Sequence, residues 1–118
     1  MKGLRYAFVG ALLILGQRIY AADTYTVLGQ GNQSCGKWTQ DSRDPNSTAA
    51  IADLVWVLGY VSAYNNYASA SSGDVSSNTD VNGIEAWIDG YCANHPLDKI
   101  AGAAAELIIE LKKRRLPK

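Results

Sequence analysis

Few side chains in this sequence are of types that do chemistry, and they fall into four groups. These are Cys35 with Cys92, the single histidine His95, the run Asn78 to Gly83, and the cluster Tyr60, Tyr64, Asn65, Asn66 and Tyr67. Cys35 and Cys92 are the chain's two cysteines. In an oxidising compartment two cysteines allow one intramolecular pairing, here closing the loop 35–92. Loop-closure entropy puts such a bridge at about 4 kcal/mol. That rivals the whole net stability of a small domain, roughly 5–15 kcal/mol. The competing reading, two unpaired buried thiols, belongs to a reducing compartment.

His95 is of the side-chain type that switches charge near neutrality. It precedes Pro96 at an expected helix start, which gives it a capping or surface role. No nucleophile elbow accompanies it. With both cysteines bridged, no ligand cluster for zinc remains. Asn78 to Gly83 (NTDVNG) follows the opening of a calcium loop, D-x-D/N-x-D/N-G, with Asn in the first place. Its eighth position is Glu85 instead of an apolar residue, and its twelfth is Asp89 instead of the bidentate Glu. Helix capping by Asn82 and Glu85 explains the run without a metal. The reading therefore assigns no catalytic residue, no metal and no cofactor. Tyr60, Tyr64, Asn65, Asn66 and Tyr67 are the candidate partner-binding residues, because Tyr and Asn make adaptable recognition surfaces at low entropic cost. The plainer alternative has the tyrosines finishing the core with their hydroxyls at the surface.

The elements that must position these groups are helical. Asp23 to Gln33 reads as an extended arm and a turn, and Ser34 to Gln40 as one or two helical turns around Cys35 and Trp38. After a loop over Asp41 to Ser47, a long helix is predicted from Ser47 or Thr48 to about Tyr67, capped by either residue. Its expected buried stripe is Ile51, Leu54, Val55, Leu58 and Val61 or Ser62, beside a second stripe of Trp56, Val57, Tyr60, Tyr64 and Tyr67. Gly59 lies between the two stripes, where it would admit a close helix crossing. Ala68 to Thr79 is serine-rich and reads as a mobile polar loop with nothing to bury.

A second helix is expected from about Gly83 to Ala93, started by an Asn82–Glu85 capping box, with Ile84, Trp87, Ile88, Tyr91 and Cys92 on one face. A third is expected from Pro96, capped by Asn94 or His95, burying Leu97, Ile100, Ala101, Ala104, Leu107, Ile108 and Leu111. The basic residues Lys112 to Arg115 suit its C-terminal end.

Ahead of these elements, Lys2 and Arg5 precede the apolar run Tyr6 to Gly16, and Gln17 to Ala22 ends in small residues. This is the layout of a secretory signal peptide, and the run is too short to span a membrane, which takes about 20 residues. Residues 1–22 are the expected leader and 23–118 the single mature domain, exported to the periplasm with no stable membrane insertion after processing. The chain has 11 basic and 11 acidic residues. Lys2, Arg5 and Arg18 leave with the leader, so the mature net charge is about −3. The remaining positive charge gathers in the tail, Lys112 to Lys118. A solvated helix end accounts for that run, and contact with an acidic partner or anionic lipid is its alternative. No basic face interleaved with aromatics exists, so nucleic acid is not an expected partner.

The pattern resembles the HdeA/HdeB-type periplasmic acid-stress chaperones and the wider fold group around them. The matching pieces are Cys35 beside Trp38, Leu58-Gly59-Tyr60, Asp80-Val81-Asn82-Gly83-Ile84, and Cys92 eight residues after Ile84. The resemblance spans Ser34 to Lys113 and implies an all-α domain of four or five helices, with one disulfide joining the early turn to the second long helix. It implies a non-enzymatic protein whose partners are unfolded clients. The same fold group includes immunity proteins that block cell-wall amidases, which makes a specific protein partner the alternative. A homodimer is a further expectation. The chain departs from a lysine-rich chaperone in having Lys37, Arg43 and Lys99 as its only basic residues between the leader and the tail.

Overall fold

A computed structural model describes residues 25–115, and the expected leader lies outside them. The described elements are a 3₁₀ turn Gly29–Asn32 and four helices: α1 Cys35–Asp41, α2 Thr48–Ser72, α3 Val81–Asn94 and α4 Ile100–Arg115. Among the described residues there is no strand, only a single antiparallel bridge between Ser34 and Lys99. The domain is all-α, and Cys35 and Cys92 are disulfide-bonded.

Helix α4 is the centre of the packing. It contacts α2, α3, α1 and the 3₁₀ turn, and buries Ile100, Ala101, Ala103, Ala104, Leu107, Ile108 and Leu111. Its run of alanines leaves room for neighbouring helices to lie close. From α3 come Ile84, Ile88 and Cys92, on the face that the spacing predicts. Helix α1 brings Cys35 and Trp38, and the disulfide welds it to α3 with both cysteines fully buried.

The connection between α3 and α4 differs from its expected form. Residues 96–99 are not the first turn of a helix, and Leu97 is 93 % exposed. The reason lies in α1. Its first amides have no partner inside their own helix. Cys35 N–H donates to the Asp98 carbonyl at 2.7 Å, and Gly36 N–H to the Pro96 carbonyl at 2.9 Å. Those carbonyls are taken, and Ile100 N–H is drawn to the Gln33 carbonyl at 3.0 Å, so α4 starts only at Ile100. His95 is the C-cap of α3, not the N-cap of α4.

Helix α3 also starts earlier than the Asn82–Glu85 box would allow. Asp80 caps it, its carboxylate accepting from Gly83 N–H at 2.8 Å. At that third position a Cβ on Gly83 would stand 2.7 Å from Thr79 Oγ1, so a larger residue there would displace the threonine hydroxyl.

Helix α2 begins as expected, with Ser47 Oγ accepting from Ala50 N–H at 3.2 Å. Its buried residues are Asp53, Val57 and Val61, while Ile51 and Val55 of the expected stripe are 52 % and 59 % exposed. Apolar residues occupy almost the whole circumference of this helix, so periodicity cannot choose its inner face. The choice is made by the arm in front of α1. Trp56 Nε1 donates to the Leu28 carbonyl at 2.8 Å, and its ring lies where a Cβ on Gly31 would fall 2.1 Å from it. The close approach is therefore at Gly31. Gly59 faces open space, with nothing within 4 Å of a built Cβ.

The serine-rich stretch is not an idle loop. Residues 68–72 continue α2, and Gly73 ends it at φ +60°, the left-handed conformation that closes many helices. Val75 is then 1 % exposed, a core residue in an otherwise polar segment.

Candidate functional site

The side of α2 turned away from the core is the most distinctive surface. The helix has 25 residues and so runs for about 37 Å. Asp53 is its single charged residue and is buried. The outward face, through Ile51, Val55, Gly59, Ser62 and Asn66, is therefore uncharged along its length, and Tyr67 is exposed a third of a turn away from it, on the Tyr60 side. Two exposed aliphatic side chains, Ile51 and Val55, stand one turn apart on it, followed by the small or polar Gly59, Ser62 and Asn66.

The predicted cluster splits across this helix. Tyr67 is 87 % exposed and Asn66 is exposed beside it. Tyr60 and Tyr64 are half-buried against the core. Tyr60 tilts against Trp56 with ring centres 5.7 Å apart. Burial, and then the nearby Tyr25 and Tyr64 hydroxyls, push its phenol above the ordinary value. Asn65 is turned to the segment that follows. Its Nδ2 donates to Asp74 Oδ1 at 2.8 Å and to Ser76 Oγ at 3.0 Å, and its Oδ1 accepts from Val75 N–H at 3.0 Å. It works as a clamp on the chain that carries Val75. Asp74 is held below the usual carboxylate range by the Ser76 hydroxyl, then the Ser76 amide, with Arg115 and Asn65 adding to this.

A second aromatic group runs down α3. Trp87 stacks on Tyr91 at 5.5 Å, and Tyr91 on His95 at 4.3 Å. Tyr91 Oη donates to Asp98 Oδ2 at 2.7 Å, which pushes the phenol up to about 12. The His95 ring nitrogen Nδ1 meets the Tyr91 carbonyl at 2.9 Å. These groups tie the end of α3 to the turn that holds α1. In the run Asn78 to Gly83, Asp80 is spent on the helix cap. Among the described residues, no three His, Cys, Asp or Glu side chains are grouped to hold a metal.

One residue of consequence escapes the sequence reading. Asp53 is 1 % exposed, with Oδ1 accepting from Gln30 Nε2 at 2.8 Å and Oδ2 buried without a partner. Burial raises its pKa; the Gln30 bond opposes this, the neighbouring Asp41 carboxylate adds to it, and Lys37 opposes it. A signal for it did exist. It is the only charge in a long apolar helix, four residues before Val57 and eight before Val61, which places it on their face.

Compared with family models, curated proteins and solved structures, the chain finds no match. Among the described residues, no helix is long and apolar enough to cross a membrane. The disulfide fits an oxidising, extracytoplasmic compartment.

Proposed function

We propose that this chain is a non-enzymatic, periplasmic binding domain that holds a protein partner, in its own folded state, against the outer face of α2. The observation that carries this reading is that face, uncharged along the helix with Ile51 and Val55 more than half exposed, flanked toward its C-terminal end by the exposed ring of Tyr67. Interface centres are depleted in charge and enriched in aromatic anchors, with energy concentrated in a few of them. The disulfide fixes α1 to α3 and the Asn65 clamp holds the segment after α2, and a frame tied in this way lowers the entropic cost of binding. A pre-formed surface suits an inhibitor or immunity protein for a cell-wall hydrolase. Affinity capture from periplasm at neutral pH tests this. A single stoichiometric partner is expected, lost in Val55→Lys and Tyr67→Ala but retained in Glu106→Ala, an exposed site on α4. Equal capture by all four proteins would refute it.

A second reading, an acid-opened chaperone of the HdeA/HdeB type, is favoured by one observation. Asp74 ties the segment carrying the core residue Val75, and its pKa lies below the ordinary value. Such a group stabilises the fold above its unfolded-state pKa, and that contribution is lost as pH falls through the lowered, folded-state value. Four helices and one disulfide also agree with the frame that the resemblance implies. Protection of an aggregating client at pH 2 to 3 is the test of this reading.

A further inference from the structure

Asp53 lies where three elements meet, and what it touches suggests a role independent of partner binding. It stands on the inner side of α2. Gln30 of the 3₁₀ turn donates to its Oδ1, and Asp41 of α1 lies close enough to act on it both as a charge and as a hydrogen-bonding partner. Both oxygens of Asp41 are engaged by the Lys37 ammonium. Each other group facing Asp53 can be named. Helix α2 has no second charge, and the turn offers the neutral Gln30. Helix α1 offers Asp41 and Lys37. Helix α4 packs on the same turn, and the residues it buries from Ile100 to Ala104 do not titrate. An ionised Asp53 would leave Oδ2 as a buried anion with no donor, next to a second carboxylate. A protonated Asp53 has a hydrogen to donate from that oxygen, and Asp41 is the acceptor within reach.

We propose that the folded chain keeps a proton on Asp53 Oδ2 and donates it to the Asp41 carboxylate, so that a carboxyl–carboxylate hydrogen bond locks the 3₁₀ turn, α1 and α2 together and loosens as that proton is lost. Of the two carboxyls, Asp53 is the buried one with an oxygen left without a donor, whereas both oxygens of Asp41 are held by the Lys37 ammonium. The lock has a definite pH sign. A carboxyl group whose folded-state pKa is raised contributes stability fully below its unfolded value, and loses it as pH rises through the folded value. The fold therefore tightens in mild acid at this junction. Within that window the folding equilibrium constant falls by up to tenfold per pH unit.

Two measurements on the disulfide-intact chain test this. The first is a carbon-13 titration of the aspartate carboxyls by NMR. The Asp53 resonance should titrate above an ordinary aspartate, and Asp41→Asn should move its midpoint down. An ordinary midpoint, or one that Asp41→Asn leaves in place, overturns the proposal. The second is denaturant unfolding against pH for wild type and Asp53→Asn. The asparagine amide can donate to Asp41 while its oxygen accepts from Gln30. Above pH 4 the wild-type constant should fall relative to that of Asp53→Asn. Parallel pH profiles would overturn the lock. So would stabilisation of the wild type alone by millimolar magnesium or calcium, which would give the buried oxygen to a cation instead.

Discussion

The two ends of α2 each hold an aspartate at a junction, and the two junctions are built in opposite ways. At the C-terminal end, Asp74 is exposed and receives hydrogen bonds from Ser76 and Asn65, so its charged form is favoured. At the N-terminal end, Asp53 is buried with one oxygen unpartnered beside another carboxylate, so its neutral form is favoured. One side-chain type thus carries opposite pH dependences at the two ends of one helix, and the difference comes first from burial at Asp53 and from hydrogen-bond donors at Asp74, with neighbouring charges adding to each. Acid weakens the first junction and strengthens the second. The two aspartates therefore predict opposite signs for the local response to acid at the two junctions.

The largest expected effect comes from the frame that both junctions share. Cys35→Ser or Cys92→Ser should cost about 4 kcal/mol by loop-closure entropy, and melting should fall by about 4–8 °C for each kcal/mol. The double variant should match either single one, because each abolishes the bond. Calorimetry under non-reducing conditions is the check, and two free thiols in freshly isolated protein would remove the premise. Asn65→Ala comes next. It strips the donors and acceptor that hold residues 74–76 and frees Val75 to leave the core. A loss of about 1–3 kcal/mol is expected from groups left unsatisfied. Hydrogen exchange should rise at the Val75 amide first, and leave the Asp53 junction unchanged.

The smallest effects are the most informative about the contrast. Asp74→Asn should flatten the acid limb of the stability curve, since the stabilisation lost as pH falls through the lowered value is no longer there to lose. Asp53→Asn should flatten the limb on the other side, above pH 4. If both variants changed the same limb, the two junctions would not be opposites. Neither change should alter the disulfide or the outer face of α2.

How far these features could be read from sequence depends on whether local chemistry decides them. The face of α3 follows from Ile84, Ile88 and Cys92 at helical spacing, and the cysteine pairing from there being just two. Helix α2 could not be oriented this way, because its apolar residues surround it. Gln30, Gly31 and Leu28 choose the inner face, and they are distant in sequence. Pro96 reads as a helix start by local preference and loses to α1, whose amides claim the nearby carbonyls. Val75 looks solitary among serines until Asn65 folds the chain back. In the candidate site, Tyr67 and Asn66 stand at the surface as the composition suggests, whereas Asn65 is engaged by its own chain. Asp53 was visible as a lone charge, but its burial is a tertiary fact.

Binding of a protein partner through the outer face of α2, as proposed above, would take place in the folded chain. The most direct test immobilises the wild-type protein and the Val55→Lys variant and exposes both to periplasmic extract at pH 7. In parallel, client aggregation is followed with both at pH 3. Val55 is more than half exposed, so its substitution should change stability by no more than about 0.5 kcal/mol. The expected result is one stoichiometric partner at pH 7 that only the wild type retains, with no client protection at pH 3 by either protein. Client protection at pH 3 by both, with no specific partner at pH 7, would contradict the claim.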